Sequence, residues 1–237
     1  MKNPELSIVI PFYNEKQNIL PVLNTYIVFK KSYNFELICV NNGSFDGSTN
    51  EFNRIVKTKK YPFIKVVTVK KNKGYGYGIM RGVKSAKGEI IAWTHADMQT
   101  RSEDVFAAFD TYNKYNDPNR IIKGNRVNRA PSAFLFSLGM AVIASIMLRK
   151  IFYEINAQPK LFHKSFLQYL KNAPDDFSLD LFFLYIAKKH GYKITSIDVI
   201  FHNRLYGKSK WAYSLKSRWK TITRTLSYIN HLANNNR

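Results

Sequence analysis

The sequence predicts an α/β fold with a mostly parallel central sheet flanked by helices. Short apolar runs typical of buried strands alternate with segments whose apolar residues recur at helical spacing. Strands that alternate with helices favour parallel pairing through right-handed crossovers. Polar, turn-rich loops follow three of the predicted strands, beginning at Pro11, Asn41 and His95. Because the carboxyl ends of parallel strands meet at one edge, these loops are expected to face a single ligand-binding crevice.

The predicted elements follow one another along the whole chain. Pro11 is expected to stop the first strand, and Ser102 is interpreted as the N-cap of a helix. Asp176 or Ser178 is expected to cap another helix, which stops at Gly191. The predicted strands are residues 6–10, 35–40, 64–69, 90–93, 121–126 and 194–201, with 155–162 as an extended segment. The predicted helices begin near Asn18, Thr49, Ile79, Ser102, Ala130, His163 and Ser178.

Composition and charge bound the class of protein. The 237 residues suffice for one large domain or two small ones, and 45% of them are hydrophobic, which excludes a disordered chain. The formal net charge of +21 indicates a surface that seeks phosphate, carried by nucleic acid, anionic lipid or a nucleotide ligand. Cys39 is the single cysteine, which excludes an internal disulfide and a cysteine metal cluster. The first apolar run is too short to predict a signal peptide.

A candidate cation site follows the predicted strand 90–93. Alternate side chains at the end of a strand point to the same side, so His95, Asp97 and Gln99 are expected to converge. An imidazole, a carboxylate and an amide oxygen together suit a divalent cation. The alternative interpretation is that these three are ordinary polar groups of a loop.

A glycine-rich loop at residues 73–78 carries part of a dinucleotide-binding spacing. This signal is weak by itself, because the acidic residue expected after the next strand is not in the right context. Lys73 remains a candidate phosphate contact. Tight packing of a helix against a strand explains the glycines equally well.

Two segments indicate contact with a membrane. Residues 130–148 carry no charge and predict a helix, or a pair of helices, that lies in the membrane interface near the mouth of the site. A buried core helix is the main alternative, and a bilayer-spanning helix is the least favoured one. The tail from Trp211 alternates aromatic and basic residues, which is typical of a basic amphipathic helix on an anionic membrane. A solvated helix packed on the domain is the alternative for the tail.

Six motifs, in the same order along nearly the whole chain, resemble those of the family 2 glycosyltransferases of GT-A fold. The resemblance is greatest to the dolichyl-phosphate mannosyltransferase-like branch. It implies a GT-A domain with a Rossmann-like sheet over residues 1–210, followed by the helical tail 211–237. The motifs are SIVIPFYNE, VNNGSFDGS, THADMQ, KGNR, NAQPKLF and FHNRLYGKSKW.

For the donor, the resemblance implies a nucleotide-diphosphate sugar bound where the first strands end. Asn41 takes the place of a base-contacting aspartate, and Asp46 lies further along the same loop. A divalent cation, Mg²⁺ or Mn²⁺, would bridge the diphosphate. Its implied ligands are Asp97 and Gln99, with His95 in place of the first acid of the motif. The other implied donor contacts are Pro11, Tyr13, Glu15, Arg204 and Ser209.

For the reaction, the resemblance implies that Arg126 contacts phosphate and that Asp180 is the candidate general base. Gln158 and Lys160 would lie on the acceptor side. A polyprenyl phosphate acceptor is already nucleophilic at neutral pH, in which case Asp180 is structural. A sugar hydroxyl acceptor would require Asp180 to take its proton.

Three departures from the family pattern affect what is carried over. His95 replaces the first acid of the metal motif, and Asn41 and Asn42 replace both acids of the nucleotide element. The crevice therefore has less negative charge, although a neutral imidazole can still bind Mn²⁺. An amide and a carboxylate recognise different base edges, so the nucleotide is left open.

These observations predict an inverting glycosyltransferase, peripheral on the cytoplasmic face of the cytoplasmic membrane. It would move a sugar from a nucleotide-diphosphate sugar to a polyprenyl phosphate or to a glycan precursor of the cell envelope. A non-catalytic, membrane-associated relative is one alternative. A nucleic-acid-binding protein is another alternative, which the net charge of +21 would suit. No segment of the sequence resembles a known nucleic-acid-binding module, so nucleic acid is not an expected partner. The oligomeric state is left open, with a homo-oligomer as one option.

Overall fold

Seven strands form one central sheet in the computed structural model, which describes residues 3–204 and 215–234, with side chains at 3–204 and 222–234. The strands are β1 (Leu6–Phe12), β2 (Phe35–Asn42), β3 (Ile64–Val69), β4 (Ile90–Trp93), β5 (Arg120–Val127), β6 (Lys160–His163) and β7 (Lys193–Ile200). Their order is β3-β2-β1-β4-β6-β5-β7. All neighbours pair in parallel except β6, which is antiparallel to β4 and to β5. The predicted α/β class and mostly parallel sheet are confirmed.

The helices connect the strands and cover both faces of the sheet. Two short 3₁₀ helices, Val28–Lys31 and Lys164–Tyr169, follow α1 and β6. The α-helices are α1 (Lys16–Ile27), α2 (Ser48–Thr58), α3 (Tyr75–Val83), α4 (Ser102–Tyr115), α5 (Pro131–Leu148), α6 (Leu179–Lys189) and α7 (Leu215–Asn234).

The core has two layers, one on each face of the sheet. Alternate side chains of β1 point to opposite faces, so Ile8 and Ile10 pack with α1 and α4, while Val9 packs with α3 and α6. Phe106 of α4 and Phe183 of α6 are fully buried on their respective faces. This double cover explains why β1, β2 and β4 are continuous apolar runs.

Two predicted boundaries are wrong by a few residues. Pro11 does not stop β1, which continues to Phe12 and stays in register with β2. β1 pairs with β4 only as far as Val9, so Pro11 lies where β1 has a free edge and its missing N–H breaks no ladder bond. Ser102 is the first residue of α4 rather than its cap, and Arg101 precedes it, with its N–H donating to Asp104 at 2.9 Å.

Helix α5 is mostly exposed although it is apolar. Its 18 residues are long and apolar enough to cross a membrane by length and composition, and 17% of them are buried. One side of α5 packs against α7, where Ala144 and Leu148 meet the buried side chains Ile229 and Leu232. The alternative of a buried core helix is therefore wrong for α5. The part of α7 whose side chains are described packs on the domain, whereas the predicted tail residues 211–214 and 235–237 lie outside the described residues.

Candidate active site

The loops after β1 and β2 are bonded to each other at the carboxyl edge of the sheet. The backbone N–H of Asn14 donates to Ser44 Oγ at 3.0 Å, and that of Phe45 donates to Asn14 Oδ1 at 2.9 Å. The N–H of Lys16, at the start of α1, donates to Asp46 Oδ2 at 2.9 Å. The two loops therefore form one wall of the crevice that the sequence predicts.

Asn41 and Asn42 use their side chains inside the protein. Asn41 Nδ2 donates to Thr49 Oγ1 at 2.8 Å, and Asn41 Oδ1 accepts from the N–H of Ser44 at 3.2 Å. Asn42 Nδ2 donates to the Gly74 carbonyl at 2.9 Å. Both asparagines, predicted near the nucleotide, fix the loops that follow β2 and precede α3.

Asp46 also has an internal role. Its carboxylate accepts hydrogen bonds from the N–H groups of Lys16 and Ser48 and from the Ser48 hydroxyl. Although burial by itself raises the pKa of Asp46, these bonds, led by the Ser48 hydroxyl, lower it overall. The carboxylate thus satisfies N–H groups at the start of α1 and α2.

The glycines of residues 73–78 allow close packing. A Cβ on Gly74 would lie 2.2 Å from the Asp175 carbonyl oxygen, and one on Gly76 would lie 2.2 Å from that of Pro174. Gly74 also has a positive φ of 138°. Lys73 is exposed and its Nζ lies 5.1 Å from the centroid of the Tyr77 ring. The geometry favours the packing interpretation of this motif over a dinucleotide site.

A guanidinium lies at the predicted cation position. Arg204 Nη2 is 2.8 Å from Asp97 Oδ2, and Arg204 Nε donates to Gln99 Oε1 at 3.2 Å. Glu15 Oε1 is 3.6 Å from Arg204 Nη1. Asp97 is 7% exposed, and its other oxygen accepts from the N–H of Gln99 at 3.1 Å. Asp97 and Gln99, both predicted as metal ligands, therefore bind the Arg204 guanidinium instead, and Glu15 lies near it.

The segment after β7 is fixed to the loop after β4. The N–H of His202 donates to the Gln99 carbonyl at 2.9 Å, and Gln99 Nε2 donates to the His202 carbonyl at 3.0 Å. Arg101 Nε donates to His202 Nε2 at 3.0 Å. These bonds hold Arg204 near Asp97. Ser209, also predicted to contact the donor or acceptor phosphate, lies outside the described residues.

His95 lies in a stack of three rings. Its imidazole stacks on Tyr75 with centroids 5.6 Å apart, and Tyr75 stacks on Phe177 at 4.9 Å. Burial lowers the pKa of His95, against the opposing influence of Asp97 and Asp180. The imidazole is therefore neutral at pH 7 and keeps a lone pair, which a metal ligand requires.

The side chains near Asp97 offer few ligands for a divalent metal ion. Among residues 3–204 and 222–234, no group of three or more His, Cys, Asp or Glu side chains is arranged to hold a metal. Mg²⁺ and similar ions at nucleotide sites need only one or two carboxylates, because phosphates and water supply the other oxygens. Asp97 and Gln99 fit such an ion, and both already bind a cationic group.

Asp180 is held in a buried ion pair. Its Oδ1 accepts from Lys160 Nζ at 2.8 Å and from Gln158 Nε2 at 3.1 Å. Lys160 is fully buried, and its ammonium also donates to the carbonyls of Ile155 and Ala157. Burial lowers the pKa of Lys160, and Asp180 opposes that shift. A carboxylate that is 2% exposed and bonded to an ammonium is poorly placed to take a proton from an acceptor.

A basic cluster, defined as Lys123, Arg126, Arg129 and Glu154, lies at the start of α5. Arg126 Nε is 2.6 Å from Glu154 Oε2, and Arg129 Nη1 is 2.7 Å from Glu154 Oε1. Arg129 also donates to the Ala133 carbonyl, in the first turn of α5, at 2.8 Å. Burial, with Lys160 nearby, lowers the pKa of Lys123 to about 7. Arg126 and Arg129 thus share the Glu154 carboxylate beside an exposed apolar helix, while Lys123 Nζ donates to the backbone carbonyl of Glu154 at 3.3 Å.

Sequence reasoning assigned a phosphate role to Arg126 alone of this cluster. Glu154 is 25 residues or more from both arginines, and no local pattern pairs them. The sequence signal for the cluster was the group of basic residues that precedes the uncharged residues 130–148. Glu154 also has a positive φ of 44°, in the left-handed region, and a glutamate in the sequence does not predict that conformation.

Comparison with known proteins places these features in a family. The model described as "Glycosyl transferase family 2" matches residues 7–209. The dolichol-phosphate mannosyltransferase of Pyrococcus furiosus is 28% identical over 151 residues, covering 62% of this chain and 42% of that protein. An undecaprenyl-phosphate 4-deoxy-4-formamido-L-arabinose transferase of Aeromonas hydrophila is 34% identical over 104 residues, covering 42% of this chain and 31% of that protein. The chain thus aligns with less than half the length of these curated relatives.

Solved structures share the fold at lower identity. A mannosyltransferase from Pyrobaculum calidifontis, in complex with GDP-Man and Mn²⁺, has a TM-score of 0.64 at 19% identity and covers 98% of this chain and 69% of its own. Glucosyl-3-phosphoglycerate synthase from Mycobacterium tuberculosis, in complex with Mn²⁺, UDP and glucosyl-3-phosphoglycerate, has a TM-score of 0.71 at 15% identity and covers 96% and 80%. The predicted GT-A fold is confirmed by these likenesses.

Proposed function

Because the chain belongs to glycosyl transferase family 2, we propose that it transfers a sugar from a nucleotide-diphosphate sugar to a polyprenyl phosphate, with inversion at the anomeric carbon. The observation that carries this proposal is the basic cluster at the start of α5. It combines cationic side chains that suit a phosphate with an exposed apolar helix that suits a lipid chain. The relatives named for dolichol phosphate and undecaprenyl phosphate support the same acceptor class.

The donor diphosphate is assigned to the edge of the sheet near Asp97. Asp97 and Gln99 would hold a divalent ion, which supplies positive charge to the departing nucleoside diphosphate. The structural neighbours solved with Mn²⁺ support a divalent ion, and both Mg²⁺ and Mn²⁺ suit oxygen ligands. Arg204, which now pairs with Asp97, would be displaced by that ion and could then supply a second positive charge to the diphosphate.

The acceptor phosphate is assigned to the basic cluster. Arg126 and Arg129 present guanidinium groups that bind phosphate oxygens in pairs, and Glu154 holds both in position. An acceptor phosphate oxygen attacks the anomeric carbon of the donor sugar as the bond from that carbon to the diphosphate oxygen breaks. The attacking oxygen is already ionised at neutral pH, so no proton has to be removed.

The state of Asp180 favours a phosphate acceptor over a sugar hydroxyl. A hydroxyl needs a general base within hydrogen-bond reach, and the carboxylate predicted for this role is paired with Lys160. We therefore assign Asp180, together with Gln158 and Lys160, to positioning Tyr75 and the segment before β6. This assignment holds only for the phosphate acceptor.

The proposed location is the cytoplasmic face of the membrane, with α5 lying in the interface. The exposed apolar side chains of α5 would enter the boundary between head groups and acyl chains, while the net charge of +21 is attracted to anionic lipids. The chain would then meet its acceptor with the basic cluster at the depth of the lipid phosphate.

The proposal is tested by reconstituting the full chain with liposomes that contain undecaprenyl phosphate, Mn²⁺ and labelled GDP-mannose, UDP-glucose or UDP-N-acetylglucosamine. We expect label to enter the lipid extract with at least one donor. Asp97→Ala should reduce that transfer by about a hundredfold or more, since one electrostatic contact to the leaving group is lost. Asp180→Asn should retain transfer per folded protein. Transfer that survives Asp97→Ala would contradict the donor assignment.

A further inference from the structure

Phe45 is a large apolar side chain that the fold holds in solvent. It is 80% exposed at the tip of the loop between β2 and α2. Its ring meets Tyr13, in the loop after β1, edge to face with the two centroids 6.2 Å apart and an angle of 80° between the planes. A ring that is exposed to this degree gains little from burial, so its position suits a partner outside the chain.

The backbone beneath Phe45 is held by hydrogen bonds, whereas its ring is 80% exposed and contacts Tyr13 edge to face. The N–H of Phe45 donates to Asn14 Oδ1, and the neighbouring Ser44 hydroxyl accepts from the N–H of Asn14. The Ser44 hydroxyl also lies 3.4 Å from the Phe12 carbonyl oxygen. These bonds tie the Phe45 backbone to the same loop that carries Tyr13. The Cα atoms of Phe45 and Tyr13 are therefore held at a fixed distance, and the two rings move relative to each other only through their side-chain torsions.

The polar group expected to contact a nucleobase at this edge is already engaged. Both ends of the Asn41 amide are bonded internally, to Thr49 and to the N–H of Ser44. Removing either bond would leave a buried polar atom unpaired, because Asn41 is 1% exposed. Affinity for a base at this edge must therefore come mainly from another kind of contact, and aromatic stacking is available there.

We propose that Phe45 is a stacking residue for the nucleobase of the donor, and that it closes on the base from the side opposite Tyr13. This inference rests on the proposed function, since it needs a nucleotide donor. A base held between two rings needs their planes about 7 Å apart, twice the usual contact distance of about 3.5 Å. Rotation of the Phe45 side chain from edge-on to face-on provides that arrangement without movement of the backbone.

The test is isothermal titration of the full chain in Mn²⁺ with UDP, GDP and inorganic pyrophosphate. Phe45→Ala should lower the binding affinity for UDP and for GDP by about tenfold each, because stacking uses the π-face that every base has. Pyrophosphate has no base and should bind the variant and the wild type equally. Phe45→Tyr keeps the ring and should restore the affinity for both nucleotides. Val28→Ala removes an apolar side chain that is 67% exposed elsewhere and serves as the matched control.

The outcomes separate this inference from the proposed function. If wild type binds no nucleoside diphosphate, the proposed function fails and the stacking role falls with it. Should wild type bind UDP or GDP and Phe45→Ala bind it equally well, the stacking role is wrong while the proposed function stands. Equal weakening of nucleotides and pyrophosphate would show that the variant disturbs the loop, and that result also overturns the stacking role.

Discussion

At the level of single residues, Arg204 occupies the position in the crevice where a metal ion was predicted. Its guanidinium lies on oxygens of Asp97 and Gln99, with a carboxylate oxygen of Glu15 3.6 Å away. A divalent ion that needs the same oxygens has to displace it, so the two cations compete. Binding of metal and donor would then free Arg204 to turn toward the diphosphate.

This competition predicts how an Arg204 variant binds metal. Arg204→Met should bind Mn²⁺ about tenfold more tightly than wild type in the absence of nucleotide, because a charged hydrogen bond on Asp97 is removed. Electron paramagnetic resonance of free Mn²⁺ measures this directly. Arg54→Met, which removes a side chain that is 60% exposed on α2, should leave the affinity unchanged. Unchanged or weaker Mn²⁺ binding by Arg204→Met would refute the competition.

Lys123 gives a prediction for the pH dependence of stability. Its pKa is lowered to about 7 in the folded protein, from an ordinary value of 10.5, by burial and by Lys160. Between these values the unfolded chain binds a proton that the folded chain lacks, so stability rises with pH. The stabilisation is therefore lost as the pH falls from about 10.5 to about 7, and no further loss from this group is expected below that pH.

The measurement is urea denaturation of wild type and Lys123→Met at pH 7.5 and 9.0. Relative to the variant, wild type should gain about 1–2 kcal/mol over this interval, since one proton corresponds to about 1.4 kcal/mol per pH unit. Lys160 is present in both proteins, so the part of its shift that does not depend on Lys123 cancels. Parallel pH profiles would show that Lys123 keeps its ordinary pKa.

Asp97 and Gln99, which the sequence predicts as site residues, are close to one another along the chain, whereas Glu154, which it does not predict, interacts across long sequence separations. Asp97 and Gln99 were expected to share a side because they are two positions apart after a predicted strand. The backbone there is a bend in which Met98 has a positive φ of 57°, so strand alternation is not the cause, although both side chains do contact Arg204. Glu154 meets Arg126 and Arg129 only because β5 and the segment before β6 are neighbours. That neighbourhood depends on the order of strands in the sheet, which local patterns do not encode.

At the level of elements, α5 is an apolar helix with one side covered by α7 and the rest exposed. Ile146 is 72% exposed and Leu135 64%, while Ala144 and Leu148 are buried. The absence of charge over 18 residues predicted the helix, whereas only the packing of α7 decides which side remains free. An exposed face of this composition is expected to bind a lipid interface.

Substitution on that face should release the protein from membranes. Ile146→Asp should lower binding to anionic liposomes by about tenfold or more, because a charged side chain replaces one that would be buried in the interface. Sedimentation with vesicles of phosphatidylglycerol and phosphatidylcholine measures the bound fraction. Val28→Asp introduces the same charge at another exposed apolar site, in the 3₁₀ helix after α1, and should have little effect. Equal losses in both variants would point to net charge rather than to α5.

Three strand predictions were accurate. β2 and β4 are mostly buried and β3 is a partly buried edge strand, and each was placed within two residues of its observed bounds. β6 was expected only as part of an extended segment, because its four residues and its antiparallel pairing depend on β4 and β5 on either side. Pairing between distant segments is the part of the fold that periodicity does not specify.

At the level of the whole molecule, the features proposed for the donor and for the acceptor lie at the same carboxyl edge of one sheet, since β4 and β5 run in the same direction on either side of β6. The loops after β1, β2 and β4 carry the residues proposed for the donor, and the basic cluster lies at the end of β5 and the start of α5. The net charge of +21 predicted a phosphate-binding surface but not its position. The fold places part of that charge beside an exposed apolar helix, which is the arrangement that the proposed transfer to a membrane-bound phosphate would use.

The most direct test of this account is the KM for polyprenyl phosphate in Arg129→Met. This KM is expected to rise by about tenfold or more while the KM for the sugar nucleotide stays constant, since only the acceptor phosphate loses a charged hydrogen bond. Lys164→Met, which removes a cation that is 55% exposed away from the cluster, should match wild type in both constants. An unchanged acceptor KM in Arg129→Met, or an equal rise in the donor KM, would contradict the assignment of the basic cluster to the acceptor.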